Sequence, residues 1–368
     1  MSKTSIRYVA IMLICILTLS GCSSPVGSFL APKPELPDRI LYVVATGIEQ
    51  NGRFHNELVL VDPEQWAVLR RTRLKVVDSV FYSINEDSLG RIWIPYHGAP
   101  GAPGNTVAIF NRDGSHLSNV ETCGRPHSVY FIENFACVIC AHNGFFGRVT
   151  MIELDTLDTV RELELEGNEG FFLTATATDG RIVIVWGADK LPVLYILGSS
   201  QPDTVPETVN YRVATQSILP IREEQFIVLN EGSNRIDYDE IIDGLFLDIS
   251  EGDMQVKPFA LPVRSPLWGV ISDNMLFSYH NSRYADPKGT AERAMSRLDL
   301  ETGDTDLWPL PDNWDARDLE IIDGRIMLTW RRSNDPEASG IYEFDPETGS
   351  LEQVMQLPGA TLMLPPDD

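Results

Sequence analysis

Three stretches of this chain are close copies of one another: "SLGRIWIPY" from Ser88, "TDGRIVIVW" from Thr178 and "IDGRIMLTW" from Ile322. Each is a Gly turn followed by alternating apolar residues, the pattern of a half-buried strand. The glycines stand 90 and 144 residues apart, which fits two and three units of about 45–48 residues. A second marker keeps the same beat. Strands run into Asp or Asn and a turn at Asp62, Asn111, Asp155, Asp248, Asp299 and Asp345, with a degenerate member near Gly198. Such a period is that of propeller blades rather than helical repeats, because helical periodicity is scarce while Val, Ile, Tyr, Phe and Trp fill the short runs. The expectation is an all-β fold, a seven-bladed β-propeller of four-stranded antiparallel blades. Six or eight blades follow if "NRIDYDEIIDG" from Asn234 is parsed differently.

The last unit shows how a blade reads. "LEIID", "RIMLTW", "GIYEFD" and "LEQVMQL" are its four strands, with Asp323-Gly324 and Thr348-Gly349 as turns, since Gly takes positive φ at little cost. The first unit offers only "ILYVVAT", "ELVLVD" and "AVLRRTRL". Its innermost strand is expected from the C-terminus, "ATLMLP" at Ala360–Pro365, so that the two chain ends close the ring and no sheet edge is left to aggregate.

Ahead of the repeats, Lys3 and Arg7 precede an apolar run from Val9 to Leu19 that ends in "LSGC". The run is shorter than the roughly 20 residues a spanning helix needs, and reads as a secretory signal. Leu19 to Cys22 resembles the lipobox of bacterial lipoproteins. That resemblance implies a signal peptide over 1–21, acyl chains such as palmitate on Cys22, and a Pro- and Ser-rich tether over 22–38 ahead of a propeller domain over 39–368. Ser23 in place of Asp implies the outer membrane, facing the periplasm, in a Gram-negative cell. Membrane attachment then comes from the lipid, at about 0.8 kcal/mol per buried methylene.

With 53 acidic against 29 basic residues the formal charge is −24. That sign opposes the counterion release that drives nucleic-acid binding, so no nucleic-acid partner is expected. Once Cys15 and Cys22 are set aside, Cys123, Cys137 and Cys140 remain, too few for a disulfide-built fold. Cys137 and Cys140 are three apart in an apparent strand and face opposite sides. Folding "HSVYFI" back on "FACVICAH" brings Cys140 toward the segment holding Cys123, a candidate disulfide.

The strand patterns and turns such as "DSLGRIWI" and "DPETGSL" resemble the YVTN, NHL and streptogramin-lyase group of propellers, and lack the signatures of WD40 and kelch repeats. The resemblance implies an architecture that hosts scaffolds, solute-binding modules and enzymes alike. Second strands end at "PYHG", "CAHN" and "SYHN", placing His97, His142 and His280 on one face, with His127 beginning an inner strand nearby. Trp186, Asn230 and Arg331 hold matching positions in other blades. Two readings stay open. One is a lipid-anchored binding platform in the cell envelope, engaging a protein partner or small ligand without a cofactor. The other is a lyase or hydrolase with a divalent metal on converging imidazoles, which are good ligands and acid/base groups near neutral pH. "DYDEIIDG" (Asp237–Gly244) departs from calcium-loop spacing and reads as a solvated acidic loop.

Overall fold

The computed structural model describes residues 36–51, 53–76, 79–99, 101–141, 147–165, 172–178, 181–187, 193–198, 207–208, 215–230, 242–249, 255–281, 293–311, 315–331 and 338–366. Residues 38–368 make one compact unit. Cys22, the expected signal peptide and nearly all of the tether lie outside the described residues, as does His142.

Among the described residues the strands pair into seven four-stranded antiparallel sheets, numbered here as sheets 1 to 7 along the chain. In sheets 2 to 7 the four strands follow chain order, so each sheet is a simple meander. Two sheets carry a two-residue strand: Asn85–Glu86 opens sheet 2 and Glu207–Thr208 closes sheet 4. Sheet 1 is assembled from both ends of the domain. Ala360–Leu364 pairs with Leu41–Gln50 through Tyr42↔Leu364, Val43↔Met363 and Val44↔Leu362. Its outer strands are Arg53–Asp62 and Ala67–Arg73.

First strands of successive sheets pack on one another from sheet 3 round to sheet 1, as the inner strands of a propeller do about its axis. The second strands are the most buried, for example Ile92–Ala99 in sheet 2, Phe135–Cys140 in sheet 3 and Met275–Asn281 in sheet 6. The outermost strands are exposed along most of their length, as Thr159–Leu165 and Thr305–Pro309 show. The core lies between neighbouring sheets, because a propeller blade is covered on both faces by its neighbours. Tyr279 and Met295 of sheet 6, for instance, share a cluster with Leu328, Trp330 and Phe344 of sheet 7.

Cys123 and Cys140 form a disulfide, fastening the segment ahead of the inner strand of sheet 3 to the end of its second strand. Cys137 faces away and is a buried free thiol, its pKa pushed up to about 12 by burial. A bridge closing a loop of this size is worth about 3 kcal/mol in the chain-entropy account. Peptide mapping without reductant should recover the linked Cys123–Cys140 pair, and Cys123→Ser with Cys140→Ser should melt several degrees lower. Alkylation of Cys123 and Cys140 in the unfolded, unreduced protein, in addition to the Cys137 label expected either way, would remove the bridge from the account.

Candidate functional site

Five inner strands share one irregularity. Each carries an extra residue near the same end: His127 in Pro126–Ile132, Gln216 in Thr215–Arg222 (which has a second at its other end), Leu267 in Pro266–Ser272, Arg317 in Asp315–Ile322 and Thr361 in Ala360–Leu364. A bulge of this kind leaves one residue out of the ladder and re-aims its side chain. In the neighbouring second strand, the residue paired just before the bulge is Cys140, Asn230, His280, Trp330 or Ala45, and all five are fully buried. The bulges and their buried partners therefore form a repeated device at one end of the inner strands.

Three of those bulge residues, Leu267, Arg317 and Thr361, line a single cleft of about 430 Å³. Thr46, Asn281 and Arg331, each one residue beyond the buried partner, line it too. Its aromatic wall is Trp268 with Phe81 and Tyr82, from the segment leading into sheet 2. Tyr82 and Val80 are 39% and 41% exposed, so this wall is open to solvent.

Arg331 is placed by Gly47. The strand Leu41–Gln50 has its own bulge after Ala45, and Gly47 there adopts φ +64. A Cβ at Gly47 would sit 3.0 Å from the Arg331 guanidinium, so the absent side chain is what admits that group. Burial and the nearby positive charge of Arg317 both push the Arg331 pKa down. Asp315 lies on the same wall, but its carboxylate accepts a hydrogen bond from Asn281 Nδ2 at 3.0 Å and pairs with Arg293 at 3.4 Å.

The histidines divide. His97 and His127 come together, ring centroids 6.2 Å apart, and Tyr82 packs on both, stacked on His127 at 4.4 Å and edge-on to His97 at 4.8 Å. Burial depresses both imidazoles, His97 to about 4 with help from the positive charge of Arg125, and His127 to about 3 with help from His97. Both rings are neutral at physiological pH, and Nδ1 of each is buried without a hydrogen-bond partner among the described residues. The pair supports the wall of the cleft through Tyr82.

His280 is elsewhere. The "SYHN" strand end brings it to the same end of the inner strands, but the structure buries it completely between Ser296 Oγ, at 2.7 Å from Nε2, and the Arg264 carbonyl, at 3.4 Å from Nδ1. The reason is the phase of the strand: successive residues face opposite sides, and it is Asn281 that reaches the cleft. Asn230 is likewise buried, its Nδ2 donating to the Ile242 carbonyl at 2.8 Å. Trp186 is placed by its backbone, paired with Leu173 and Val193 in sheet 4. Of the sequence candidates, only Arg331 lines the cleft, with His97 and His127 behind it.

Arg317, Trp268 and Tyr82 were not legible as site residues. A repeated signal does exist: Arg125 and Ser265 both take positive φ (59° and 62°) directly before Pro126 and Pro266, and the bulge residue follows. Proline suits a strand's first position because it has no N–H to give to the ladder. Among the described residues, no group of three or more His, Cys, Asp or Glu is arranged to hold a metal ion.

No protein-family model and no curated protein sequence matches this chain. Solved structures do. A Bacteroides uniformis protein provisionally named a 6-phosphogluconolactonase superposes with a TM-score of 0.61 at 12% identity, over 89% of this chain and 99% of its own. The dihydro-heme d1 dehydrogenase NirN gives 0.58 at 10% identity, over 93% of this chain and 78% of its own. The β-propeller domain of the Trilobed protease from Pyrococcus furiosus gives 0.53 at 10% identity, over 87% and 95%. At such identities the likeness extends to the fold alone. The chain is a β-propeller with four-stranded antiparallel blades, an architecture shared by enzymes and binding proteins.

Proposed function

We propose that this chain is a lipid-anchored, extracytoplasmic propeller whose seven sheets are seven blades of one closed ring, and that it works as a binding platform in the cell envelope. The acyl chains sit on Cys22, and the tether over 22–38 holds the ring off the outer membrane on its periplasmic side. The cleft carries the reading. It is a concave site at the end of the inner strands, with aromatic walls and a few convergent polar groups, which is how ligand sites in rigid scaffolds are built. The Cys123–Cys140 bridge supports the compartment, since structural disulfides persist outside the reducing cytosol. A metal-dependent lyase or hydrolase on converging histidines has less support, because both imidazole nitrogens of His280 are engaged inside sheet 6.

Two measurements test the proposal. Metabolic labelling with a palmitate analogue should mark the full chain and leave Cys22→Ala unmarked and released from membranes. Fragment soaks of crystals should place small molecules against Trp268, and Trp268→Ala should lose them. An unlabelled wild type would refute the anchor, and fragments that consistently settle elsewhere would refute the cleft.

A further inference from the structure

The cleft contradicts the charge of the molecule around it. Acidic residues outnumber basic ones nearly two to one in this chain, and arginines find carboxylates readily. Arg39 pairs with Asp323, Arg91 with Asp87, Arg148 with Glu164, Arg297 with Asp306 and Arg325 with Glu343. Arg317 and Arg331 have no ion pair or hydrogen bond among the described residues, although they share one cleft. Asp315 does not supply one, because it pairs with Arg293 and Asn281. Arg331 is half-buried while Arg317 is exposed, and holding the two like charges close opposes folding through repulsion and the partial desolvation of Arg331. An anion arriving between them relieves both costs.

We propose that the cleft binds a small ligand carrying an oxyanion, a carboxylate or phosphate monoester, on an aromatic or apolar body. This rests on the binding-cleft reading above and names the ligand class for it. Guanidinium is the group suited to the anion, because its planar fork donates two parallel hydrogen bonds to carboxylate or phosphate. Trp268, Leu267 and Phe81 offer the apolar wall for the body, while Thr46 and Thr361 add hydroxyls. Thr361 Oγ1 donates to the Gly359 carbonyl at 2.9 Å and so accepts from Thr46 Oγ1 at 2.8 Å; the hydroxyls are held in place beside the arginines, which are left as the groups that donate to the anion.

The bulge at Arg317 and the bare Cα of Gly47 are the devices that assemble the site. Without the extra residue in Asp315–Ile322, the pleat would carry the side chain at position 317 across to the sheet face. A methyl group at Gly47 would meet the Arg331 guanidinium at 3.0 Å and shift it by a few tenths of an ångström, and the residue would also be strained at φ +64. Gly47 is thus a positioning residue for Arg331.

The test is calorimetric titration of the full chain in detergent micelles with phenyl phosphate, phenylacetate, inorganic phosphate and neutral benzyl alcohol. The two aromatic anions should bind, whichever carries the preferred oxyanion being the tighter. Inorganic phosphate should bind more weakly and benzyl alcohol at least tenfold more weakly. Arg331→Gln and Arg317→Gln should each weaken the better aromatic anion tenfold or more without altering the far-ultraviolet spectrum, and Arg331→Lys should restore part of the loss. Gly47→Ala should weaken it several-fold, and added salt should weaken it in the wild type. Benzyl alcohol binding as well as the anions, with Trp268→Ala abolishing it, would overturn the oxyanion assignment and leave the cleft as a binding site. Anion binding indifferent to both glutamine variants would overturn the assignment of these arginines. Failure of all four probes, together with fragment soaks that avoid the cleft, would overturn the oxyanion assignment and the binding-cleft reading together.

Discussion

Ending the chain after Gly359 is expected to abolish cooperative folding of the whole domain. The loss removes the inner strand of sheet 1, and with it Ala360, Leu362 and Met363, all at most 5% exposed. Burying side chains like Leu362 and Met363 is worth roughly 1.5–3 kcal/mol each. The truncation also breaks the ladder to Tyr42–Ala45 and the hydrogen bond from Thr329 Oγ1 to the Thr361 carbonyl at 2.9 Å. Asp318 loses its bond from the Met363 amide at 2.6 Å. Together these approach the roughly 5–15 kcal/mol that a domain has in total. The exposed edge of Leu41–Gln50 would then invite pairing with other chains. Calorimetry and light scattering should show no sharp transition and growing aggregates, whereas ending the chain after Pro366 should melt like the parent. A truncated protein with an undiminished melting point would show that the two chain ends do not hold the domain closed.

The second large effect concerns Asp318 and Glu320, two residues apart on the inner strand Asp315–Ile322 and so on one face. Burial raises both. Asp318 rises to about 7 through burial, partly restrained by the amides of Met363 and Leu319, and Glu320 rises well above the usual carboxylate range through burial and the charge of Asp318. A carboxyl whose folded pKa lies above its unfolded one binds more protons in the folded state. Its contribution is present at low pH and is lost as pH rises from about 4 through its folded value. The pair therefore destabilises the neutral-pH protein.

The buried histidines act with the opposite sign. His97, His127 and His280 are lowered to about 4, 3 and 4, so the folded state holds fewer protons and loses stability as pH falls below about 6.5. The two groups pull against each other between about pH 4 and 6.5. Glu320→Gln mimics the protonated acid without its titration. It should raise the melting point at pH 8, change little at pH 4.5, and leave a pH profile dominated by the histidines. Equal effects at both pH values would show that the carboxyl pair does not govern the neutral-pH stability.

How far the sequence reaches is seen by comparing particular elements. Sheet 7 is legible strand by strand, because alternation and the Gly324 and Gly349 turns are local properties of the chain. The pairing of Ala360–Leu364 with the first strand was legible too, since sheet 1 was one strand short and the chain had one strand over. The cleft was not. "DARDLEII" reads as an ordinary alternating strand, and nothing in its composition shows that Arg317 drops out of the ladder. His280 is a related case: the sequence places it at the end of its strand where the cleft lies, but it packs inside the sheet while the next residue, Asn281, lines the cleft. Tyr82 belongs to a segment without strand periodicity, and only tertiary packing brings it onto His97 and His127.

The recurrent bulge also separates two duties that most strand positions must combine. A residue in the ladder is answerable to the sheet on either side, and changing it disturbs the core. Arg317 stands outside that obligation, exposed beside the fully buried Trp330. Such a bulge offers a position whose side chain can vary while its buried neighbour stays fixed. A lineage of such rings could therefore change what it recognises by substitution there, with little disturbance to the sheets that carry it.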